Sequence, residues 1–309
     1  MKKILISCIA ISFAIATKAQ TTDKVVAQVK YRFTHLKDTT QRDRLYEEDM
    51  LLLLGTNSSI YTSYTKMLRD QEIKKSIQEQ VKNQAGSTNI SIKSTSTKQA
   101  SRDEYYYFPG KNHYFLKQRL INNYLIETPI DKIDWKITKD TLSIAGVACQ
   151  KATARFKGRN WIAWFAPELP FQSGPWKLNG LPGLIVEAYD EKKEVKFEFE
   201  GFEKFVAKKA DDKSTIPLQG GNVVVKSIGL DDDVTTLEEI KLPADGIKTT
   251  KKEYDRLQEA YKKDPQGFMQ TQMAGSGTKI INVVGRPMPG GTTAVKPLVE
   301  NNPIELSDK

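Results

Sequence analysis

Short runs of alternating apolar and polar residues, separated by turn residues, recur along most of this chain. The clearest run is 195–199, where Val195, Phe197 and Phe199 alternate with charged residues. Successive side chains of a β-strand point to opposite faces, so such a run predicts a strand with one buried face. Helix-like segments are few. The chain is therefore predicted to be mainly β, as an antiparallel curved sheet or half-barrel with one or two inserted helices, an α+β arrangement.

Turn clusters join several of these runs into hairpins. One hairpin is predicted around Pro109-Gly110, because Pro and Gly set the backbone angles of tight turns. The run 161–166 is apolar on both faces, which is typical of a central strand covered twice. The other predicted strands are 22–37, 47–54, 59–64, 122–128, 133–138, 141–146, 149–156 and 184–189.

Two segments have helical rather than strand-like spacing, and two others are polar. Helices are predicted at 66–82 and at 250–263, the second ended by Asp264-Pro265. Segments near 83–102 and 206–250 are predicted to be polar insertions that contribute little to the core. Because no repeat is evident, we expect residues 20–309 to form a single β-rich domain.

The N-terminus predicts export. Lys2 and Lys3 precede an apolar run at 4–16, and the small residue Ala19 precedes a plausible cleavage point. The run is too short to span a bilayer, which needs about 20 apolar residues. We therefore expect 1–19 to be a signal peptide and the rest to be periplasmic or secreted, with no transmembrane segment. The chain carries a net charge of +9 with no concentrated basic block, so nucleic acid is not expected as a partner.

Residues suited to catalysis or metal binding are scarce. The chain has two histidines, His35 and His113, and no ligand pair with zinc-like spacing. Cys149 is the cysteine left after signal cleavage, and its apolar neighbours predict burial. Three contiguous aspartates at 231–233 lack the spaced oxygens and the glycine of a calcium loop, and glycine pairs near 275–277 and 290–291 lack a phosphate-loop frame. No metal, cofactor or catalytic residue is predicted.

The stretch "GPWKLNGLPGLIVEAYD" at 174–190 is the most distinctive part of the chain. Pro175 and Pro182 each fix a backbone angle, while Gly180 and Gly183 can adopt positive φ. These residues predict a preset double turn entering a strand at Leu184. Two interpretations stay open: a rigid plug that covers the core, or a lip over an apolar cavity that accepts a ligand.

This stretch resembles the GLPGLI family of exported bacterial proteins. The hexapeptide that gives the family its name is Gly180, Leu181, Pro182, Gly183, Leu184 and Ile185, and the similarity extends over 146–202 and to "NPIEL" at 302–306. Further positions that fit the family pattern are Cys149, Arg159, Trp161, Trp164, Pro175 and Trp176. The resemblance implies an exported β-rich protein and no particular reaction.

Three functions remain open at this point. The first is a non-enzymatic envelope protein that binds a lipid-like apolar ligand or an envelope protein on its sheet. The residues proposed to bind are Trp161, Trp164, Trp176, Leu181 and Leu184. The second is a hydrolase that uses two acids among Glu168, Glu187 and Asp190, although these also fit ordinary surface acids. The third is a scaffold whose charged helices at 66–82 and 250–264 dock partners.

Overall fold

A computed structural model describes residues 22–83, 100–206, 215–218, 221–224, 238–274 and 299–307. The predicted signal peptide, the aspartates at 231–233 and the glycine pairs near 275–277 and 290–291 lie outside these residues. None of the helices in the described ranges combines the length and hydrophobicity needed to cross a membrane.

In the described residues most regular elements are strands that follow one another along the chain. Helices occur at two places, after β4 and after β16. The first strands are β1 (Asp23–Lys24), β2 (Ala27–His35), β3 (Tyr46–Leu54), β4 (Ser59–Ser63), β5 (Glu104–Phe108), β6 (His113–Arg119), β7 (Asn123–Pro129) and β8 (Lys136–Ile144). The later strands are β9 (Val147–Phe156), β10 (Arg159–Ala166), β11 (Leu184–Asp190), β12 (Val195–Lys204), β13 (Thr215–Leu218), β14 (Gly221–Val224), β15 (Glu239–Ile240) and β16 (Ile247–Thr249). The helices are α1 (Tyr64–Asn83), α2 (Lys251–Lys263) and α3 (Pro265–Ala274), and a 3₁₀ turn spans Pro109–Lys111.

One large sheet dominates the fold. Its twelve strands lie in the order β16-β7-β6-β5-β4-β3-β2-β12-β11-β10-β9-β8. Neighbours are antiparallel except β16, which runs parallel to β7. The sheet is open, since β16 and β8 form its two edges. The prediction of a mainly β protein with inserted helices is confirmed, and β10 lies inside the sheet as its two apolar faces predicted.

Several details differ from the sequence predictions. The two strands predicted at 133–138 and 141–146 are replaced by one strand, β8, whose register shifts between Ile137 and Thr141. The segment predicted as a polar insertion at 206–250 contains β13 to β16, and Ile240 is fully buried. A third helix, α3, begins at Pro265 directly after α2, because proline is favoured in the first turn of a helix.

Both faces of the sheet are covered, and the leucine run of β3 shows how. Leu52 and Leu54 belong to a large apolar cluster on one face, while Leu51 and Leu53 belong to a second cluster on the other. Met67 of α1 packs into the second cluster. A strand buried on both faces needs apolar residues at successive positions, which explains why this run does not alternate.

The first cluster surrounds a long loop between β10 and β11, residues 167–183, here called the motif loop. Its Trp176, Leu178 and Leu181 are buried in that cluster. Tyr105 of β5 and Phe156 of β9 line one cavity together with this loop, although six strands separate β5 from β9 in the sheet order. The sheet therefore curves around the motif loop, which fills the concave face.

Candidate functional site

The backbone of the motif loop is shaped by its glycines. Gly180 has φ +86° and Gly183 has φ +155°, as the sequence predicted. A Cβ on Gly183 would overlap the carbonyl oxygen of Ala166 and lie 2.7 Å from its carbonyl carbon, whereas a Cβ on Gly180 would meet open space. Gly183 is therefore required for close packing against the end of β10, while Gly180 mainly supplies a turn angle.

Aromatic side chains connect the motif loop to the sheet. The Trp176 ring lies 5.7 Å from Trp161 and 5.9 Å from Phe156, measured between centroids. Trp161 in turn stacks on Phe197 of β12 at 6.1 Å, and its indole N–H donates to the carbonyl of Phe156 at 3.0 Å. Ring pairs at these spacings stabilise a core beyond their buried area, so Trp176 is held firmly from one side.

A cavity lies on the other side of Trp176, between the motif loop and strands β4 to β6. It contains about 430 Å³ of empty space, part of which is open to solvent, and its enclosed part is small. The residues that line it are Ser59, Tyr61, Tyr105, Tyr107, Tyr114, Ile130, Asp131, Phe156, Ser173, Gly174, Trp176, Lys177, Leu178 and Asn179. We call it the tyrosine cavity, because four of these residues are tyrosines.

Two buried polar atoms of this lining have no hydrogen-bond partner. They are the hydroxyl oxygen of Tyr61 and the indole nitrogen of Trp176, on residues that are only 4% and 7% exposed. The Tyr105 hydroxyl lies near the Trp176 indole, but the geometry between the two groups falls short of a hydrogen bond. Buried polar groups are nearly always paired in proteins, so two unpaired donors on the lining of one cavity are unusual.

The backbone at Trp176 is strained as well. Its φ is +55°, in the left-handed region, which is unfavourable for a bulky side chain. Such conformations cost about 1–3 kcal/mol and concentrate at functional sites. The fold therefore holds this indole at the cavity wall against its local preference.

Other polar lining groups already have partners. The hydroxyls of Ser59 and Ser173 lie 2.8 Å apart, and the Tyr107 hydroxyl donates to the side-chain oxygen of Asn179 at 3.2 Å. Burial raises the pKa of Tyr61 and that of Tyr105 well above the usual value. Both phenols therefore stay neutral and remain able to donate hydrogen bonds.

The residues predicted to bind a ligand lie in or against the first cluster, but they do not line the tyrosine cavity as a group. Trp161, Leu181 and Leu184 are at most 1% exposed inside the first cluster. Trp164 pairs with Glu187 across β10 and β11 and is half-buried. Trp176 is the member of the predicted set that lines the tyrosine cavity. The hexapeptide residue Ile185 is fully buried, while Pro182 is exposed.

The three acids considered for hydrolysis differ in their surroundings. Glu168 is exposed on the turn after β10. Burial and the neighbouring Glu198 raise the pKa of Glu187, which is half-buried on β11. Asp190 accepts a hydrogen bond from Arg159 at 2.8 Å and backbone hydrogen bonds from the β11–β12 turn, so it has a structural role.

The histidines and the cysteine also have packing roles. His35 donates to the carbonyl of Asn302 at 2.8 Å, and burial lowers its pKa to about 4. His113 hydrogen-bonds the carbonyl of Lys111 at 2.7 Å. Cys149 is buried as predicted, and burial raises the pKa of its thiol. Within the described ranges, no three potential metal ligands come together.

Sequence reasoning missed the tyrosines and Lys177 as site residues. The hairpin predicted around Pro109-Gly110 makes "DEYYYF" at 103–108 its first strand, and in such a strand Tyr105 and Tyr107 share one face. That spacing is a signal for an aromatic wall. Tyr61 and Tyr114 gave no comparable signal, because each lies in an ordinary strand pattern.

Two neighbouring tyrosines provide a matched test of the unpaired hydroxyl. The Tyr31 hydroxyl donates to the carbonyl of Ile185 at 2.6 Å, and the ring lies 6.5 Å from that of Tyr61. We expect Tyr31→Phe to lower the free energy of unfolding by about 1–2 kcal/mol, because it removes a buried hydrogen bond. Tyr61→Phe should leave that free energy unchanged or raise it by up to about 1 kcal/mol. Urea denaturation measures both, and an equal loss in the two variants would contradict an unpaired Tyr61 hydroxyl.

Comparison with known proteins finds a short stretch of similarity around the motif loop. Residues 156–187 match the model of a family described as a protein of unknown function, Porph_ging. No curated protein matches the chain. Two crystal forms of PNGF-II are similar in structure, in space groups P21 and C2.

The structural similarity is distant. The P21 form has 11% sequence identity and a TM-score of 0.46, and the match covers 75% of this chain and 32% of that chain. The C2 form has 12% identity and a TM-score of 0.43, with 74% and 32% covered. This chain thus spans about a third of the length of the PNGF-II chain. What the comparisons show is that residues 156–187, which include the hexapeptide, are similar to a family of unknown function.

Proposed function

We propose that this chain is an exported, non-enzymatic binding protein of the GLPGLI type, and that it holds one end of an apolar ligand in the tyrosine cavity. The proposal rests on two unpaired donors, the hydroxyl of Tyr61 and the indole N–H of Trp176. Both side chains line the same cavity. An unpaired buried polar atom costs about 1–3 kcal/mol of stability. A hydrogen-bond acceptor on the ligand that reached either group would remove that cost.

The composition of the cavity favours a ligand with an apolar body. Aromatic rings of Tyr105, Tyr114, Phe156 and Trp176 form much of its wall. Ligand sites are generally apolar with a few convergent polar groups that fix orientation. Because the enclosed part is small, we expect one ring or a short chain end to enter while the rest of the ligand stays outside.

Two features support binding rather than catalysis. Among the described lining residues, Asp131 is the one carboxylate, and it pairs with Lys157 at 2.6 Å. Neither His35 nor His113 lines the cavity. A general acid–base mechanism needs a group within hydrogen-bond reach of the reacting atom, and the arrangement supplies donors instead.

Export and family type rest on the sequence. The positive residues Lys2 and Lys3, the apolar run at 4–16 and the small residue Ala19 support a signal peptide. The hexapeptide at 180–185 supports the GLPGLI type, and it joins the end of the motif loop to the start of β11.

The proposal is tested by measuring which small molecules co-purify with the native protein. Ser59→Leu should fill the cavity, whereas Ser59→Ala loses the same hydrogen bond to Ser173 but leaves the cavity open. Native mass spectrometry of protein purified from its own host compares the three forms. We expect wild type and Ser59→Ala to carry a small molecule that Ser59→Leu lacks. The same bound mass in all three forms would place the ligand elsewhere, and only protein partners in all three would favour the scaffold role instead.

A further inference from the structure

A lysine ammonium lies at the wall of the tyrosine cavity and is held there by a carboxylate from the C-terminal segment. Lys177 follows Trp176 in the motif loop and lines the cavity. Its ammonium forms an ion pair with Glu305. The ammonium also lies 5.3 Å from the ring centre of Tyr114 and 5.7 Å from that of Trp176, which are cation–π distances.

The two partners of this ion pair differ in exposure. The side chain of Lys177 is 12% exposed, while that of Glu305 is 40% exposed. Burial alone would lower the pKa of Lys177, but Tyr114 and Glu305 together raise it above the usual value. The lysine therefore stays charged at neutral pH, and it needs an anion more than Glu305 needs the lysine, because water can solvate the glutamate.

The backbone next to Glu305 is anchored independently of this ion pair. Arg159 donates to the carbonyl of Ile304 at 2.9 Å, and the amide of Leu306 donates to the carbonyl of Lys157 at 3.1 Å. The carboxylate of Glu305 can thus turn away from Lys177 without loss of these contacts. Its exchange for another anion requires only side-chain rotation.

The donors around the cavity are suited to a carboxylate. The Lys177 ammonium and the Trp176 indole can only donate hydrogen bonds, and the Tyr61 hydroxyl has a free donor. A carboxylate accepts at about four lone-pair positions and is a stronger acceptor than a neutral carbonyl. Asp103 is a further carboxyl group near Lys177, and it accepts a hydrogen bond from the Gln118 side chain at 3.0 Å.

Resting on the proposed function, we infer that the ligand of the tyrosine cavity is a small monocarboxylate with an aromatic or apolar body. The carboxylate of the ligand replaces that of Glu305 as the partner of the Lys177 ammonium. The apolar body of the ligand lies against the tyrosines that line the cavity. Glu305 is then an internal competitor that occupies the lysine when the cavity is empty.

The inference predicts a difference between two probes of nearly the same shape. Phenylacetate carries the carboxylate, and phenylacetamide replaces it with a neutral amide. We expect wild type to bind phenylacetate at least about fivefold more tightly than phenylacetamide, because hydrogen bonds to charged groups are stronger. Tryptophan fluorescence and ligand-observed NMR titrations measure both affinities.

Two variants assign the difference to the ion pair. Glu305→Gln removes the competing charge and should tighten phenylacetate binding about two- to fivefold, the range expected for a partly exposed ion pair, with no change for phenylacetamide. Lys177→Met keeps the apolar stem and should weaken phenylacetate binding about tenfold while sparing phenylacetamide. Thermal denaturation of each variant confirms that it is folded.

Different outcomes would count against the carboxylate and against the tyrosine cavity as a binding site. Equal binding of both probes, unaffected by Glu305→Gln, would overturn the carboxylate but leave the cavity as a binding site. Binding of neither probe to wild type or to Glu305→Gln would overturn the carboxylate inference and also count against an aromatic ligand in this cavity. The inference requires that Glu305→Gln bind phenylacetate more tightly than wild type does, while its affinity for phenylacetamide stays unchanged.

Discussion

Replacement of Gly183 with alanine should destabilise the protein by about 3–5 kcal/mol. The backbone there has φ +155°, and the added methyl group would overlap the carbonyl of Ala166 at the end of β10. Both atoms in conflict belong to backbone, so no side chain can move aside. Strain of this kind costs about 1–3 kcal/mol, and overpacking adds about 1–3 kcal/mol. Urea denaturation followed by tryptophan fluorescence measures the loss.

Gly180→Ala is the matched control within the same hexapeptide. Its backbone also has positive φ, at +86°, but a methyl group would meet no atom within 4 Å. We expect this variant to lose only about 1–2 kcal/mol, the cost of a left-handed alanine. Equal losses for the two glycines would mean that the contact with Ala166 does not hold the motif loop in place.

Arg159→Met should have a comparable effect through buried charge. The guanidinium donates to Asp190 at 2.8 Å, to the side-chain oxygen of Asn302 at 2.7 Å and to the carbonyl of Pro303 at 2.7 Å. The side chains of Arg159 and Asp190 are 2% and 4% exposed. Removal of one partner leaves an uncompensated buried charge, so we expect a loss of about 3–5 kcal/mol in the free energy of unfolding.

The same variant should also release the C-terminal segment. Hydrogen exchange at the amide of Leu306, which donates to Lys157, should become faster in Arg159→Met than the loss of global stability explains. Arg155→Met, at an exposed position of the neighbouring strand β9, is the control and should change neither quantity by more than about 0.5 kcal/mol. Normal protection of Leu306 in Arg159→Met would show that the segment is held by other contacts.

Much of the sheet could be predicted from local pattern. The alternation at 195–199 identified β12, and turn residues located the hairpins, because period-2 burial and turn geometry are properties of neighbouring residues. The positive φ angles of Gly180 and Gly183 followed from the same local chemistry. The parallel pairing of β16 with β7 did not, since three residues of strand carry no information about a distant partner.

The candidate site was predicted only in part. Trp176 belongs to the set of apolar residues predicted to bind a ligand, and it lines the tyrosine cavity. The residues opposite it, such as Tyr61 and Tyr114, come from strands that the curvature of the sheet brings together. Which face of a strand looks into a cavity depends on that curvature, and alternation alone distinguishes only two faces.

Asp190 illustrates a limit of reasoning from residue type. As a carboxylate beside the motif it was a reasonable candidate acid. In the structure it is one end of an ion pair with Arg159 and accepts the backbone amides of Glu194 and Val195. The sequence shows both charges but not their contact, because the pair joins residues on different strands.

A structure of the protein bound to the molecule that co-purifies with it would show whether the tyrosine cavity is a binding site. We expect this molecule to lie in the tyrosine cavity, with an acceptor within hydrogen-bond distance of the Tyr61 hydroxyl or the Trp176 indole nitrogen, and with the motif loop unchanged. A molecule bound elsewhere while both of those groups stay unpaired, or one converted to product beside Glu187, would contradict this expectation.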